Sequence, residues 1–401
     1  MVRGYGHQTL ETWHEHGERR VEAARTVERL RASCSAYGIT RLARQTGLDR
    51  IGIPCYSAIR PAATTLSTSQ GKGIDDAAAQ ASALMEAIEF AVAERARPHT
   101  HHAAPAELSA RGEAYFDPER LLPPDTPLSS DRPIHWLEGR SWPSGTPIWI
   151  PRDAVSIGGD APDLPAIGRS TNGLASGNCR EEALFHAICE LVERDATSLW
   201  SLLTDPARLA TEFTIEDVAD ETVRDLGARI AAAGLELRLF DQTTDLGVPS
   251  VMALIVENGG GAARAFDMAA GYGAHPVGSR AIVRAITEAA QTRITNIAGG
   301  RDDFLPEEYE MAADETVRFL AERGRGRASA PAWLAAGTPL PRMLSALAER
   351  LQESMAIAWV ELGDVDTHGF SVLRALSAEL EDRETNANWR PGGRALQVLA
   401  T

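Results

Sequence analysis

Three stretches of the sequence place carboxylates among apolar residues at helical spacing. In the first, Ser82, Glu86 and Glu89 stand at i, i+4 and i+7, so a helix would carry all three on one face. The residues between them are mostly apolar, and a carboxylate in such surroundings needs a cationic partner. Magnesium ions would provide that partner, because they prefer hard oxygen ligands and bridge carboxylates to phosphate oxygens.

Two further stretches, farther along the chain, also place charged residues among apolar ones. The third places Arg284, Glu288 and Gln291 at i, i+4 and i+7. The second carries its charges on neighbouring helix faces, namely Glu182, Glu190, Glu193 and Arg194. Each stretch follows a Gly- or Ser-rich segment that would let a phosphate approach the backbone. Taken together they predict a magnesium and phosphate site, whereas surface salt bridges would explain any one stretch alone.

One lysine stands out among the basic residues. Of 40 basic residues only Lys72 is a lysine, and it lies between Gly71 and Gly73. Flanking glycines allow close backbone approach, and a compact ammonium can fit where a planar guanidinium cannot. We therefore expect Lys72, with Arg194 and Arg284, to compensate phosphate charge. The alternative is an accidental surface lysine in a turn.

The common nucleotide motifs are missing from the sequence. A P-loop would need glycine where Leu66 stands, six positions before Lys72, and a hydroxyl residue where Gly73 stands. The glycine pattern that begins at Gly271 has Pro276 at its third glycine position. A nucleotide site in this chain would therefore use a different architecture.

Helices and strands of both crossover and hairpin type must position these residues. The pattern predicts helices over 8–35, 77–97, 180–203 and 279–298, with Asp75 or Asp76 capping the second. Strands are predicted over 235–240, 250–256 and 356–362, and loops over 170–177 and 269–278. Because no fixed-period repeat or clean linker interrupts the chain, we predict one mixed α/β domain of the α+β kind.

Composition limits the class of protein. The 401 residues carry a net charge of −16, which opposes nonspecific binding to nucleic acid or to an anionic membrane. No apolar run reaches transmembrane length, and the first 30 residues are too charged for a signal peptide. The four cysteines show neither a CxxC pair nor a disulfide-dense pattern. We expect a cytoplasmic protein that is not secreted.

Five motifs of this chain resemble those of the YcaO family, and the resemblance extends from about residue 41 to 377. They are QGKG at 70–73, SALMEAIE at 82–89, NGLASG at 172–177, ELVERD at 190–195 and EAAQTR at 288–293. None is specific alone, but the set is very specific. It implies a single large YcaO-type catalytic domain over 46–401, with mixed sheets and ATP-binding helices, preceded by an N-terminal helical segment over 1–45.

The resemblance also implies a site for ATP and Mg²⁺. The residues expected to bind this cofactor pair are Ser82, Glu86, Glu89, Glu182, Glu190, Glu193, Glu288 and Gln291. The expected metal ligands among them are Glu86, Glu89, Glu190 and Glu193. The expected catalytic cations are Lys72, Arg194 and Arg284. Lys72, Arg284 and Glu288 match family positions with less certain individual roles.

The implied activity is activation of a peptide backbone amide. ATP phosphorylates the amide oxygen and a nucleophile adds to the amide carbon, in an order that the sequence leaves open. A Cys, Ser or Thr side chain as nucleophile gives an azoline, a backbone amine gives a macroamidine, and external sulfide gives a thioamide. The substrate would be a ribosomal peptide or a protein.

Two further stretches resemble the branch that works beside TfuA-type partners in peptide thioamidation, at 40–54 and 298–303. We expect no appended leader-binding domain, and the C-terminus lacks the Pro-rich ending that azoline-forming members often carry. Both features favour thioamide formation over azoline formation. The expected partners are a substrate peptide and a TfuA-like protein, and a homodimer stays open.

Other interpretations are weaker. A metal site at His99, His101 and His102 lacks a second group of ligands, and Cys179 and Cys189 are expected to be small buried residues. A non-catalytic peptide-binding scaffold would be free to lose some of these acids, yet all three stretches keep them. A carboxylate–amine ligase of the ATP-grasp kind would also use acids and Mg²⁺, but no recognisable grasp loop accompanies them.

Overall fold

A computed structural model describes most of the chain. The described residues are 13, 17–95, 100–123, 126–159, 161–257, 267–299, 315–322, 326, 328–351, 355–386 and 388–400. No helix in these ranges combines the length and apolar character that a membrane crossing requires.

Thirteen strands are present in the described ranges. In chain order they are β1 Arg41–Arg44, β2 Cys55–Ile59, β3 Thr68–Lys72, β4 His101–Ala103, β5 Ile134–Trp142, β6 Pro147–Pro151, β7 Leu174–Gly177, β8 Glu212–Phe213, β9 Leu235–Asp241, β10 Ser250–Glu257, β11 Met268–Ala274, β12 Ile357–Gly363 and β13 Ser371–Ser377.

Eleven α-helices are present in the same ranges. In chain order they are α1 Ala23–Ser33, α2 Asp76–Ala93, α3 Pro105–Ala110, α4 Arg180–Trp200, α5 Asp205–Ala210, α6 Glu221–Ala232, α7 Gly278–Ala298, α8 Glu315–Glu322, α9 Leu340–Leu351, α10 Val365–His368 and α11 Gly393–Leu399.

The strands form three sheets whose pairs are all antiparallel. The first has the order β1-β2-β3, and the second has the order β11-β10-β9-β8. The third has the order β4-β5-β12-β13-β7, with β6 also paired to β5. Helices pack on each sheet, so the prediction of a mixed α+β fold is confirmed.

Each of the three acid-bearing helices follows a strand directly and packs on it. The pairs are β3 with α2, β7 with α4, and β11 with α7. Glycines allow this contact: a Cβ at Gly71 would lie 2.1 Å from the Ala83 nitrogen, and one at Gly271 would lie 2.1 Å from the Ala289 nitrogen. Since any larger residue would push the helix away, these glycines fix where the acids stand relative to the strand ends.

This arrangement corrects part of the sequence interpretation. Lys72 ends a strand rather than lying in a turn, and the predicted loops at 170–177 and 269–278 contain β7 and most of β11. Glycine and small residues typical of loops occur there because the helix backbone lies against the strand backbone. The segments that the sequence predicts to face phosphate are therefore strand ends that lead into helices.

α2 shows how its sequence separates core from site. Ala83, Leu84, Ala87 and Ile88 are fully buried, and each large aliphatic side chain among them contributes about 1.5–3 kcal/mol on burial. The remaining face carries the acids. The Asp75 carboxylate accepts a hydrogen bond from the Ala78 nitrogen at 2.8 Å, so Asp75 is the cap of the two candidates.

The predicted boundaries of the other elements agree with the structure to within a few residues, apart from the first helix. Among the described residues of the helix predicted over 8–35, the α-helix is Ala23–Ser33, a 3-10 helix follows from Cys34, and residues 17–22 are not helical. Gly17 has a φ of 91°, which a helix does not accommodate. Residues 1–12 and 14–16 lie outside the described residues, as do 96–99 at the predicted end of α2.

The proposed division of the chain at residue 45 crosses a sheet. β1 lies before this boundary and pairs along its whole length with β2, which lies after it. The N-terminal segment therefore shares a sheet with the rest of the chain, and the division at residue 45 stays a prediction.

Candidate active site

The acid faces of α2, α4 and α7 meet in one cleft. Glu86 and Glu190, from α2 and α4, are close enough to Glu89 to raise its pKa. Glu288 of α7 does the same to Glu193 of α4. The structure thus brings together carboxylates that are about 100 residues apart in the sequence.

The first carboxylate group consists of Glu86, Glu89 and Glu190. The Ser176 hydroxyl, at the end of β7, donates a hydrogen bond to the Glu89 carboxylate. Burial raises the pKa of Glu89 to about 8, against the effect of that hydrogen bond and with the help of Glu86 and Glu190. Burial likewise raises the pKa of Glu190 to about 7. At neutral pH Glu89 therefore favours its protonated form and Glu190 is partly protonated. A cation bound between them would replace these protons.

The second carboxylate group consists of Glu193 and Glu288. The Glu193 carboxylate accepts a hydrogen bond from the Ala274 nitrogen at 3.0 Å, and burial together with Glu288 raises its pKa. The Lys72 ammonium donates to the Glu288 carboxylate, which also accepts from the Tyr272 nitrogen at 3.4 Å. Although burial opposes it, the pKa of Glu288 is lowered, because Lys72 and Arg194 favour its charged form.

Two arginines complete the cationic side of the cleft. Arg194 donates to the Glu384 carboxylate at 2.8 Å, and its buried Nε has no partner among the described residues. An Arg284 Nη1 lies 3.4 Å from the His186 Nδ1, which must accept, since a guanidinium only donates. Burial alone would lower the pKa of each arginine, but Glu193 raises it. Both arginines therefore stay charged.

Three further sequence-predicted residues lie on the same helices. Ser82 lies half-buried two turns before Glu89, and the buried Gln291 Oε1 accepts no hydrogen bond from the described residues. The Glu182 carboxylate accepts from the Asn178 nitrogen at 2.9 Å, from Asn178 Nδ2 at 3.0 Å and from the Arg20 nitrogen at 2.6 Å. Glu182 thus anchors residues 17–22 at the start of α4, and its direct contact with a cofactor stays a prediction.

The donor set fits magnesium bound together with a polyphosphate. Within the described ranges, no group of three or more His, Cys, Asp or Glu side chains is arranged to hold a metal on its own. The cleft instead combines buried carboxylates that have raised pKa values with the cations Lys72, Arg194 and Arg284. Hard oxygen ligands from the protein, completed by phosphate oxygens and flanked by cations, match the coordination that Mg²⁺ prefers.

Several residues of the cleft carry no signal in the sequence motifs. Tyr272 lies near Glu384 and Glu288, and burial raises the pKa of its hydroxyl. Arg374, on β13, is 4% exposed and lies near Glu190. In the sequence, the only indication of a role for Arg374 is that a charged residue interrupts the mostly apolar stretch 371–376. Glu384 lies in a loop that no motif covers.

The histidine candidates lie apart from this chemistry, whereas Cys189 interacts electrostatically with Arg284 and Glu193. His101 stacks on Trp149 with ring centroids 4.9 Å apart, His102 packs against His135 at 4.5 Å, and His99 lies outside the described residues. Cys179 and Cys189 are buried and free, and burial raises the pKa of each thiol to about 12. The expectation that both are small buried residues is confirmed.

The raised pKa values give the nucleotide-free protein a defined pH dependence. Folding raises the pKa of Glu89 to about 8, so the folded state binds more protons than the unfolded state. We expect the free energy of unfolding to fall as the pH rises from about 7 to about 8, because over this range Glu89 keeps its proton in the folded state and has lost it in the unfolded state. The decline should level off once the pH passes the folded pKa of Glu89. Urea denaturation across this range would show it. His186 and His275 add nothing there, because burial lowers their pKa values and both stay neutral.

The matched variant is Glu89→Gln, which keeps an acceptor for Ser176 but does not titrate. Its unfolding free energy should change much less over the same pH range. A wild-type curve as flat as that of Glu89→Gln would contradict the assignment.

Comparisons with known proteins agree with this geometry. A family model described as YcaO cyclodehydratase, ATP- and Mg²⁺-binding, matches residues 70–381. An uncharacterised protein in the tfuA 3′ region of Rhizobium leguminosarum bv. trifolii is 38% identical over 320 residues, which cover 78% of this chain and 76% of that protein.

Two solved structures share the fold. A heterocyclase in complex with substrate and cofactor matches with a TM-score of 0.75 and 21% identity, over 95% of this chain. This chain spans 55% of that heterocyclase. The YcaO protein of Methanopyrus kandleri, bound with AMPPCP and Mg²⁺, matches with a TM-score of 0.70 and 23% identity, over 94% of this chain and 98% of that one.

Proposed function

The chain belongs to the YcaO family, and from that premise we propose that it uses Mg²⁺ and ATP to phosphorylate the oxygen of a peptide backbone amide. The modified molecule would be a ribosomal peptide or a protein in the cytoplasm. One observation carries the proposal: buried carboxylates of α2 and α4, with raised pKa values, share a cleft with three basic side chains. Phosphate release from ATP, measured with and without a candidate peptide, tests it.

The chemistry requires activation of the amide. An amide oxygen is a poor leaving group until it is phosphorylated, and the main demand on the protein is to position the reactants and neutralise charge. Bound magnesium would withdraw charge from the phosphate oxygens while held by Glu86, Glu89, Glu190 and Glu193. Ser82, Glu182, Glu288 and Gln291 would orient the nucleotide around them.

The basic residues would act on the transferring group. Lys72 lies at the end of β3 with Glu288 beside it, and Arg194 and Arg284 lie against Glu193. Their donors would bind phosphoryl oxygens as negative charge shifts toward the leaving diphosphate. Lys72 donates to Glu288, Arg194 donates to Glu384, and Arg284 lies within hydrogen-bond distance of His186. These contacts hold the three side chains in place, so phosphoryl transfer would need little reorganisation of them.

For the nucleophile we propose external sulfide, supplied with the help of a TfuA-type partner, which makes the product a thioamide. The support is the relative in the tfuA 3′ region, together with the two sequence stretches that resemble the TfuA-associated branch. Asp49 of the first stretch pairs with Arg293 of α7 at 3.1 Å, and α7 ends at Ala298, where the second stretch begins. Residues 300–303 of that second stretch lie outside the described residues.

Azoline formation is the second candidate, because a heterocyclase shares the fold over most of this chain. Product mass separates the two reactions. With its TfuA-type partner, Mg²⁺, ATP and sulfide, the protein should change a peptide encoded beside its gene by about +16 Da, as sulfur replaces oxygen. Intact-mass spectrometry measures this change.

Omission of sulfide is the control, and it should leave the peptide unmodified. A loss of about 18 Da without sulfide, from a peptide with Cys, Ser or Thr, would contradict thioamidation. It would keep the proposal of ATP-dependent amide activation, because both reactions pass through the same activated amide.

A further inference from the structure

A cavity lies among α2, the segment before β7 and the loop that follows β13. It has a volume of about 280 Å³, and Leu66, Phe90 and Ile157 provide its apolar wall. The rest of its lining is polar and consists of Thr65, Arg169, Ser170, Thr171 and Thr385.

The polar wall is organised around the carboxylate of Asp382. It accepts hydrogen bonds from Thr385 Oγ1 at 2.5 Å, from Asn172 Nδ2 at 3.1 Å and from Ser170 Oγ at 3.5 Å. Because a carboxylate only accepts, the Asn172 amide group must direct its nitrogen toward Asp382. Its Oδ1 is buried and has no hydrogen-bond partner among the described residues.

Arg374 lies on the other side of Asp382. It is buried on β13, and its charge interacts with Asp382 and with Glu190 of the first carboxylate group. Its Nε and Nη1 are both buried and, within the described ranges, donate to no acceptor. Two unpartnered donors and one unpartnered acceptor therefore border the carboxylate on which the polar wall of the cavity is built. Natural proteins seldom leave such groups unpaired without a ligand or water.

We propose that these groups bind the backbone amide of the substrate peptide, with Arg374 donating to the amide oxygen and Asn172 Oδ1 accepting from an amide N–H. This inference rests on the proposed function, since it names where the substrate of that reaction binds. The terminal phosphate of a nucleotide would not satisfy the site, because as a dianion it has no donor for Asn172, and the Asp382 and Glu190 carboxylates would repel it.

Binding at this site would bring the substrate amide close to ATP. Arg374 lies next to Glu190, so an amide oxygen bound to Arg374 is held at the edge of the magnesium and phosphate site. The apolar wall of Leu66, Phe90 and Ile157 is then available to a neighbouring side chain of the peptide. The cavity therefore contributes to the choice of the modified residue.

Two small probes test the site. N-acetylglycine N-methylamide has two amide N–H groups, and its counterpart methylated on both nitrogens has none. Saturation-transfer NMR on the full chain with Mg²⁺ and AMPPCP should show that the first binds about fivefold more tightly. Asn172→Ala should remove this preference, and Arg374→Lys should weaken both probes about fivefold, because the ammonium lacks the fork of donors.

Arg238→Lys is the matched control, since Arg238 is also a buried strand arginine but pairs with Glu212 on another sheet. It should leave both dissociation constants unchanged. Equal binding of the two probes to the wild type, no binding up to their solubility, or an unchanged preference in Asn172→Ala would overturn the inference. The same titrations without nucleotide separate this failure from a failure of ATP binding.

Discussion

Glu86→Gln and Glu193→Gln should each weaken the binding of Mg²⁺-ATP about 100-fold, as expected when a buried charge partner is removed. Both variants should fold. In Glu193→Gln the amide oxygen still accepts from the Ala274 nitrogen, and burial raises the pKa of Glu193, so the protein loses a costly buried charge. Isothermal titration calorimetry gives the affinities, and chemical denaturation gives the free energies of unfolding.

Glu107→Gln on α3 is the matched control, because Glu107 is exposed and pairs only with Arg111 at i+4 in the described structure. It should bind Mg²⁺-ATP as the wild type does. If both site variants also kept wild-type affinity, the carboxylates of α2 and α4 would not be the magnesium ligands.

Lys72→Arg should lower the rate of peptide-dependent phosphate release at least about tenfold, and Lys72→Met about 100-fold. Lys72 lies between Gly71 and Gly73, each of which packs without room for a Cβ against α2. Its ammonium reaches Glu288 from a confined position, and the longer, planar guanidinium cannot take the same place. The measurement is phosphate release at saturating ATP.

The control for this change is Arg44→Lys, the reverse exchange at an exposed residue of β1 that pairs with Asp76. Its rate should equal that of the wild type. Wild-type phosphate release and modification rates in Lys72→Arg would assign Lys72 to the accidental surface residues.

The three acid-bearing helices could be predicted because their information is local. Apolar residues at helical spacing set the buried face of α2, and Asp75 caps it, so the prediction needed no knowledge of distant residues. The strands β9, β10 and β12 could be predicted equally well, because each contains a run of apolar residues that favour β-structure. The first helix was predicted too long, since the buried contacts of Glu18 with His275 and Arg280 hold residues 17–22 in a non-helical form.

Long-range pairing could not be predicted from these patterns. Glycine and small residues in β7 and β11 have the composition of loops, and only their packing against α4 and α7 shows why they form strands. The partners of Lys72 and Arg194 lie about 200 residues away in the chain. Arg374 and Asn172 gained a proposed role only when the fold placed both beside Asp382.

Calorimetric titration of the full chain with ATP, with and without Mg²⁺, shows directly whether the protein binds Mg²⁺-ATP. We expect saturable one-to-one binding at pH 7 that requires Mg²⁺ and releases about one proton, because Glu89 and Glu190 must give up protons to bind the metal. Titration in buffers of different ionisation enthalpy measures that proton. Equal affinity without Mg²⁺, or no binding at all, would contradict the claim that this cleft binds Mg²⁺-ATP.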